Sequence, residues 1–282
     1  MTHIAIQGER GAFSEAAARK LFGAAAALDI VPCRTFDDAF AAVQSGRATA
    51  ACIPIENSLA GSVMRTYELL GEAGLELAGE VLLRIGLNVI ARPGATLASL
   101  RRVLSHPVAL AQCQRFFAEH RQLEAIVEYD TAGSVKLMME GDDAAAGAVA
   151  GAMAAELYGA EILAANIEDN PENYTRFVAV ATPAEAARLR ASLPAAGLKT
   201  TVLFRTPNTP GALFRALAVF ALRDINLTKL ESRPIAGRPW EYAFYVDLTG
   251  GASEHNVANA LNHLRELCEV VVLGSYGAAG TQ

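Results

Sequence analysis

Over the first 180 residues, short apolar runs alternate with helical patterns, and no other feature narrows the possible folds as much. HIAIQG, LDIVP and AACIPIE are the first three runs, with helical spacings near 12–23, 35–45 and 62–72. An apolar run bounded by turn residues suits a strand buried on both faces. Strand–helix–strand repetition implies parallel strands with crossover helices. One long strand is expected over 80–91, EVLLRIGLNVIA. The rhythm then restarts with VLSH, a helix near 107–119, AIVEY, a helix near 131–140, AGAVA and a helix near 150–158. Two α/β lobes of similar size with a cleft between them are the expectation, and the run after Arg176 is expected to return to the first lobe.

The architecture changes near residue 182. TPAEAARLRASLPAAGLK, 182–199, has the prolines and charges of a short linker, with room for one helical turn. Beyond it the order is strand (200–205), helix (210–223), strand (225–235), strand (239–248), helix (254–267), strand (269–276). That β-α-β-β-α-β order is the ferredoxin-like signature. Asn208 or Thr209 is the expected cap of the first helix, with Pro210 in its first turn, and Ser253 can cap the second.

Bulk properties exclude several classes. A net charge of -6 leaves no basic footprint for nucleic acid. The four cysteines, Cys33, Cys52, Cys113 and Cys268, lie far apart without a C-x-x-C pair, as buried thiols in a reducing compartment would. HIAIQG begins at His3 with no basic segment before it, so no signal peptide is expected. The apolar stretch 144–165 is interrupted by Glu156 and Glu161 and reads as core rather than a membrane span.

Four polar clusters follow strands, where parallel sheets bind ligands, and a fifth precedes one. QGERGAFSEAAA spaces Gly8, Gly11 and Ser14 by three, which suits either a backbone passing over an anion or a tight turn capped by Ser14. ACIPIENSLAGSV ends with Glu56, Asn57 and Ser58, or is a polar turn with Ser62 capping the next helix. VLSHPVALAQC carries Ser105, His106 and Gln112, and His106 reads best as a helix cap. In YDTAGSV, Asp130 or Thr131 precedes a helix with Ser134 one turn in. ENYTRFVAVA sets Thr175 and Arg176 ahead of a buried run, where an unpartnered hydroxyl and guanidinium would be costly. Each cluster alone is an ordinary turn or cap; their convergence on one cleft argues for a site.

On these residues the chain resembles the prephenate dehydratase family over nearly its whole length. The motifs are G-x-x-G-x-x-S at 8–14, P-I-E-N-S at 54–58, S-H-P with a later Q-C at 105–113, and N-x-T-R-F at 173–177. The tail resembles an ACT domain, with G-A-L at 211–213 and E-S-R-P at 231–234. TAGS at 131–134 departs from the family's more Ala-rich segment. No chorismate mutase segment precedes residue 3, which matches the family's monofunctional form.

The resemblance implies an α/β fold: a two-lobed, periplasmic-binding-protein-like catalytic domain at 1–181, a linker at 182–199 and a ferredoxin-like ACT regulatory domain at 200–282. The lobes would be roughly 1–78 with 167–181, and 79–166. It implies conversion of prephenate to phenylpyruvate, water and carbon dioxide in phenylalanine biosynthesis, without metal or cofactor. Thr175, Asn57, Gln112 and Glu56 would be catalytic. Ser14, Ser58, Ser105, Thr131, Ser134, Arg176 and Phe177 would bind substrate. Arg176 has a second reading, an inter-lobe ion pair with a residue such as Glu56. Phenylalanine would act on the ACT domain through Asn208, Gly211, Ala212, Leu213, Asn226, Leu227, Glu231 and Ser232, in a cytoplasmic homodimer or homotetramer with no membrane or nucleic-acid partner. The alternatives are arogenate dehydratase, or a non-catalytic amino-acid sensor.

Overall fold

The structure, a computed structural model, describes residues 2–23, 27–193, 195–235 and 237–280. The first lobe opens with β1 (Thr2–Gln7), α1 (Phe13–Phe22), β2 (Leu28–Cys33), α2 (Phe36–Gln44) and β3 (Ala50–Asn57). β1 lies between β2 and β3, parallel to both, as the alternation requires. β3 then turns back at once: a two-residue strand, β4 (Gly61–Ser62), pairs antiparallel with its end, Asn57 opposite Gly61. α3 (Met64–Glu72) follows, so the polar P-I-E-N-S segment becomes a tight hairpin.

The expected single strand over 80–91 is two strands in different sheets. β5 (Glu76–Arg84) closes the first sheet, and β6 (Asn88–Ala91) belongs to the second. The break is held by partners remote in sequence: Ile85 N–H donates to Asn173 O at 2.7 Å, and Leu87 N–H to the Glu168 carboxylate at 2.8 Å. Arg84 pairs with the same carboxylate at 2.5 Å.

The second lobe continues with β7 (Arg102–Ser105), α4 (Pro107–Ala111), α5 (Gln114–Glu119), β8 (Glu124–Val127), α6 (Thr131–Glu140), β9 (Ala146–Ala150), α7 (Ala152–Tyr158) and β10 (Glu161–Ala164). Its sheet order is β10-β6-β9-β7-β8, with β7 parallel to β8 and β9, and β6 antiparallel to β9 and β10. The helix expected over 107–119 is broken at Gln112 and Cys113, because the Asp169 carboxylate accepts the Gln114 and Arg115 N–H groups and starts a new helix there. Small residues dominate this lobe's core, with Ala132, Ala148, Ala150 and Ala154 packed around Ile90, Val135 and Met138. β11 (Tyr174–Ala181) returns the chain to the first sheet, whose order is β2-β1-β3-β11-β5.

After β11 come α8 (Pro183–Arg190), β12 (Leu198–Thr206), α9 (Ala212–Ala221), β13 (Leu227–Ile235), β14 (Arg238–Thr249), α10 (His255–Leu267) and β15 (Glu269–Gly277). The order β13-β14-β12-β15, with antiparallel pairs throughout, is the ferredoxin-like arrangement. α9 and α10 cover one face through Phe204, Phe220, Val246 and Leu261. Two expected caps differ. α9 begins at Gly211, whose φ of 74° is left-handed, rather than at Asn208 or Thr209, and α10 begins at Glu254 rather than Ser253. The linker carries the eight-residue α8, longer than one turn, because Ala186 and Leu189 are buried.

By contacts the chain divides into Met1–Thr66 with Val81–Phe177, and Tyr67–Glu80 with Val178–Gln282. In the second of these units, residues 67–80 are tied to the tail. Tyr245 donates its hydroxyl to Tyr67 O at 2.7 Å, Lys199 pairs with the buried Glu80 at 2.7 Å, and Arg190 pairs with Glu76 at 2.5 Å.

Candidate active site

Four side chains meet where β3 ends and β11 begins, all within the first compact unit. Asn57 closes β3, Gln112 ends α4, and Asn173 and Thr175 flank the start of β11. Asn57 Nδ2 lies 2.8 Å from Asn173 Oδ1, 2.9 Å from Thr175 Oγ1 and 3.2 Å from Tyr174 O. Asn173 Nδ2 donates to Gln112 Oε1 at 2.9 Å.

The direction of the Asn57 amide is set by the backbone. Its Oδ1 accepts the N–H groups of Leu59 and Ala60 at 3.0 and 2.8 Å. A backbone N–H can only donate, so Oδ1 must face the hairpin turn and Nδ2 must face Thr175. Thr175 Oγ1 therefore accepts from Asn57, and among the described residues this is the only hydrogen bond its side chain makes. Its hydrogen is left to donate. Thr175 is 7% exposed and Asn173 fully buried, so these bonds form in a medium of low dielectric, where they are strengthened.

Arg176, 8% exposed, approaches Glu56 with an N···O distance of 3.7 Å. The two lie on neighbouring strands of the first sheet rather than on opposite lobes. Ser58 ties the same strands: its hydroxyl donates to Glu172 O at 2.9 Å and accepts Tyr174 N–H at 3.0 Å. Phe177 is buried in the strand core. Among the described residues, the remaining predicted contacts make no hydrogen bond to this network. Ser105 is fully buried and donates to Val149 O at 2.6 Å, while Ser134 bonds back to Asp130 O at 2.7 Å within α6. Ser14 is buried in the first turn of α1, whose cap is Ala12, and Thr131 is the first residue of α6. His106 caps α4, accepting Val108 N–H at 3.3 Å, as its sequence reading holds. Burial pushes the neighbouring Cys113 thiol up to about 12, so it stays protonated.

The G-x-x-G loop lies against the second lobe. A Cβ at Gly8 would lie 2.5 Å from Asp130 Oδ2, and one at Gly11 would lie 3.0 Å from Ala154 Cα; both glycines have positive φ, 102° and 82°. Beside them Glu9 pairs with Lys136 at 3.2 Å. Asp130 caps α6 through Gly133 N–H at 2.6 Å, and burial raises its carboxyl above the ordinary value, with the Glu9 carboxylate adding to the rise. Among the described residues, no group of three or more His, Cys, Asp or Glu could hold a metal ion.

In the second unit, Gly211, Ala212 and Leu213 form the N-terminal end of α9, with Asn208 just before it. Asn226 and Leu227 lie past its far end, at the start of β13, with Glu231 and Ser232 further along that strand. A ten-residue helix, roughly 15 Å by its rise, therefore separates the two halves of the predicted effector set.

The prephenate dehydratase family model matches residues 4–185, and the ACT domain model residues 200–266. The chain belongs to the prephenate dehydratase family. An Arabidopsis thaliana protein named arogenate dehydratase/prephenate dehydratase 2 is 42% identical, over 97% of this chain and 72% of its own. A Komagataeibacter europaeus protein named bifunctional N-acyl-homoserine lactone acylase/prephenate dehydratase is 41% identical, over 98% and 96%. The structure of an Arthrobacter aurescens prephenate dehydratase in complex with L-Phe superposes with a TM-score of 0.86 at 35% identity, covering 98% of this chain and 90% of that one. For this prephenate dehydratase family member, the residue the motif reading passed over is Asn173. It stands at the head of N-x-T-R-F, but its partners are 61 and 116 positions away in sequence.

Proposed function

We infer that this chain converts prephenate to phenylpyruvate, water and carbon dioxide. In that reaction the bond from the ring to its carboxylate breaks, its electron pair moves into the ring, and the C–O bond to the ring hydroxyl breaks as the ring becomes aromatic. The departing oxygen takes one proton and leaves as water. The observation that carries the reading is the Thr175 hydroxyl: buried, accepting from a backbone-oriented Asn57, and with its hydrogen left to donate. Thr175 hydrogen-bonds the leaving oxygen and relays the proton to it, with Glu56 or a water as its source. A positioned proton donor of this kind contributes roughly 10²–10⁴-fold in rate. Arg176 binds a substrate carboxylate through its planar fork of donors. Asn57 and Gln112 orient the leaving group and substrate, and Ser14, Ser58, Ser105, Thr131, Ser134 and Phe177 shape the site around them.

The same proposal takes residues 1–181 as catalytic and 182–199 as the linker, with 200–282 regulatory and phenylalanine as the effector. The ACT match and the phenylalanine-bound Arthrobacter relative support this. The separation of Gly211–Leu213 from Asn226 and Leu227 along α9 suits an effector site shared by two copies, hence a homodimer or a dimer of dimers in the cytoplasm. No helix among the described residues is long and apolar enough to cross a membrane, and four free thiols suit a reducing compartment.

Arogenate dehydration is the second reading, favoured by the 42% identical Arabidopsis relative named for both activities. The test is incubation with prephenate and, separately, arogenate, each with and without phenylalanine. Phenylpyruvate from prephenate, at a rate altered by phenylalanine, is the expected result. Turnover of arogenate alone would transfer the assignment to that substrate, and turnover of neither would overturn it.

A further inference from the structure

We propose that Asn173 is a positioning residue for the dehydration, and that it sets which end of the Gln112 amide faces the substrate. The inference rests on the prephenate reading above. The polarity of the network can be followed from its fixed end. Backbone N–H groups of Leu59 and Ala60 hold Asn57 Oδ1, so Asn57 presents Nδ2 to Asn173. Nδ2 is a donor, so the Asn173 atom that faces it must be Oδ1. Asn173 Nδ2 is thereby turned to Gln112, whose facing atom must be the acceptor Oε1. The Gln112 Nε2 group is then left as an outward donor, and among the described residues it has no hydrogen-bond partner within the protein.

The relay thus runs one way and ends in two donors, the Thr175 hydroxyl and the Gln112 amide. A dianionic substrate losing an oxygen needs donors at both places. With Asn173 gone, nothing in this network prevents the Gln112 amide from turning over and presenting its oxygen to that substrate. Asn173 is suited to be the fixed point. Its side chain is fully buried, and its own carbonyl accepts Ile85 N–H at 2.7 Å, at the break between β5 and β6. It therefore joins Asn57 of the first lobe, Gln112 of the second and the crossing between them. None of its bonds involves a charged group, so its effect is one of orientation.

The test is a double-mutant cycle on the full chain, with prephenate as substrate. Asn173→Ala in the wild-type background should lower kcat by on the order of 10²-fold, the scale of a misplaced catalytic group. In the Gln112→Ala background the same substitution should cost at least about tenfold less, because the group it orients is already absent. A role confined to packing would instead lower activity by the same factor in both backgrounds, and that result would overturn the proposal. So would wild-type kcat in the single variant. Thermal melts of all four proteins check that each is folded at the assay temperature. If Asn173→Ala is not, Asn173→Ser, which keeps a small polar group in the buried position, replaces it in the same cycle with the same expected coupling. A wild-type chain that turns over no prephenate at all would refute the functional reading itself, an outcome separate from equal factors in an active enzyme.

Discussion

Replacing Thr175 by valine removes one oxygen and keeps the side chain's shape, so its consequences can be worked out bond by bond. Thr175 Oγ1 accepts from Asn57 Nδ2 at 2.9 Å; the same nitrogen also reaches Asn173 Oδ1 at 2.8 Å and Tyr174 O at 3.2 Å. Asn57 therefore keeps partners for both its hydrogens, and no buried donor is orphaned. The expected cost to stability is that of one ordinary hydrogen bond, roughly 0.5–1.5 kcal/mol. The cost to the reaction is larger, because the hydroxyl's hydrogen is the group offered to the leaving oxygen. A loss of roughly 10²–10⁴-fold in kcat is expected, with KM little changed, since the interaction develops mainly in the transition state. That corresponds to roughly 2.7–5.4 kcal/mol on the barrier. Steady-state formation of phenylpyruvate from prephenate measures it, a thermal melt measures the stability term, and Thr175→Ser should recover part of the rate. A valine variant within a few-fold of wild-type kcat would refute the assigned role.

Three further outcomes are expected. Arg176→Lys should raise KM for prephenate by about tenfold or more, because an ammonium cannot reproduce a bidentate fork; unchanged kinetics would instead favour a structural role, such as its ion pair with Glu56. Glu15→Gln should destabilise the protein by roughly 1–3 kcal/mol at neutral pH, since the 2% exposed carboxylate takes Arg10 at 2.9 Å and Arg19 at 2.6 Å. Burial alone would raise the Glu15 carboxyl, but Arg10, Gly11 N–H and Arg19 outweigh it and hold it below the usual range. Its stabilisation is therefore present above the ordinary glutamate pKa and lost as pH falls through the lowered one, so the gap between the two melting temperatures should close in acid and a constant gap would contradict the assignment. Glu231→Ala should abolish the phenylalanine response while leaving turnover in place. That variant is a cleaner test than a chain ended at Ala181, which would strip Tyr67, Glu76 and Glu80 of their partners Tyr245, Arg190 and Lys199 and should melt well below the full chain.

Local signals made much of this fold legible. Strands such as Ala50–Asn57 read as continuous apolar runs because both faces are covered, and the β-α-β-β-α-β tail reads off its own periodicity. The errors fall where remote residues decide. Ile85 and Leu87 are as buried as the strands beside them, so hydropathy runs on through a break that Asn173 and Glu168 impose from more than eighty positions away. Nothing near Gln112 marks the end of α4; the capping carboxylate comes from Asp169. Gly8 and Gly11 were legible as places of close approach, yet what approaches them is Asp130 and Ala154. In the candidate site, Asn57, Gln112 and Thr175 carry the polar chemistry that drew attention to their motifs. Asn173 carries the same chemistry, but its role depends on two partners that the fold alone brings within 3 Å.

The most direct measurement of the central claim is the product balance from prephenate labelled with ¹³C in its ring carboxylate. The wild-type chain should release labelled carbon dioxide and phenylpyruvate in equal amounts, with both rates falling together in the Thr175→Val variant. Labelled carbon dioxide without phenylpyruvate, or equal rates from wild type and variant, would contradict a dehydration driven through Thr175.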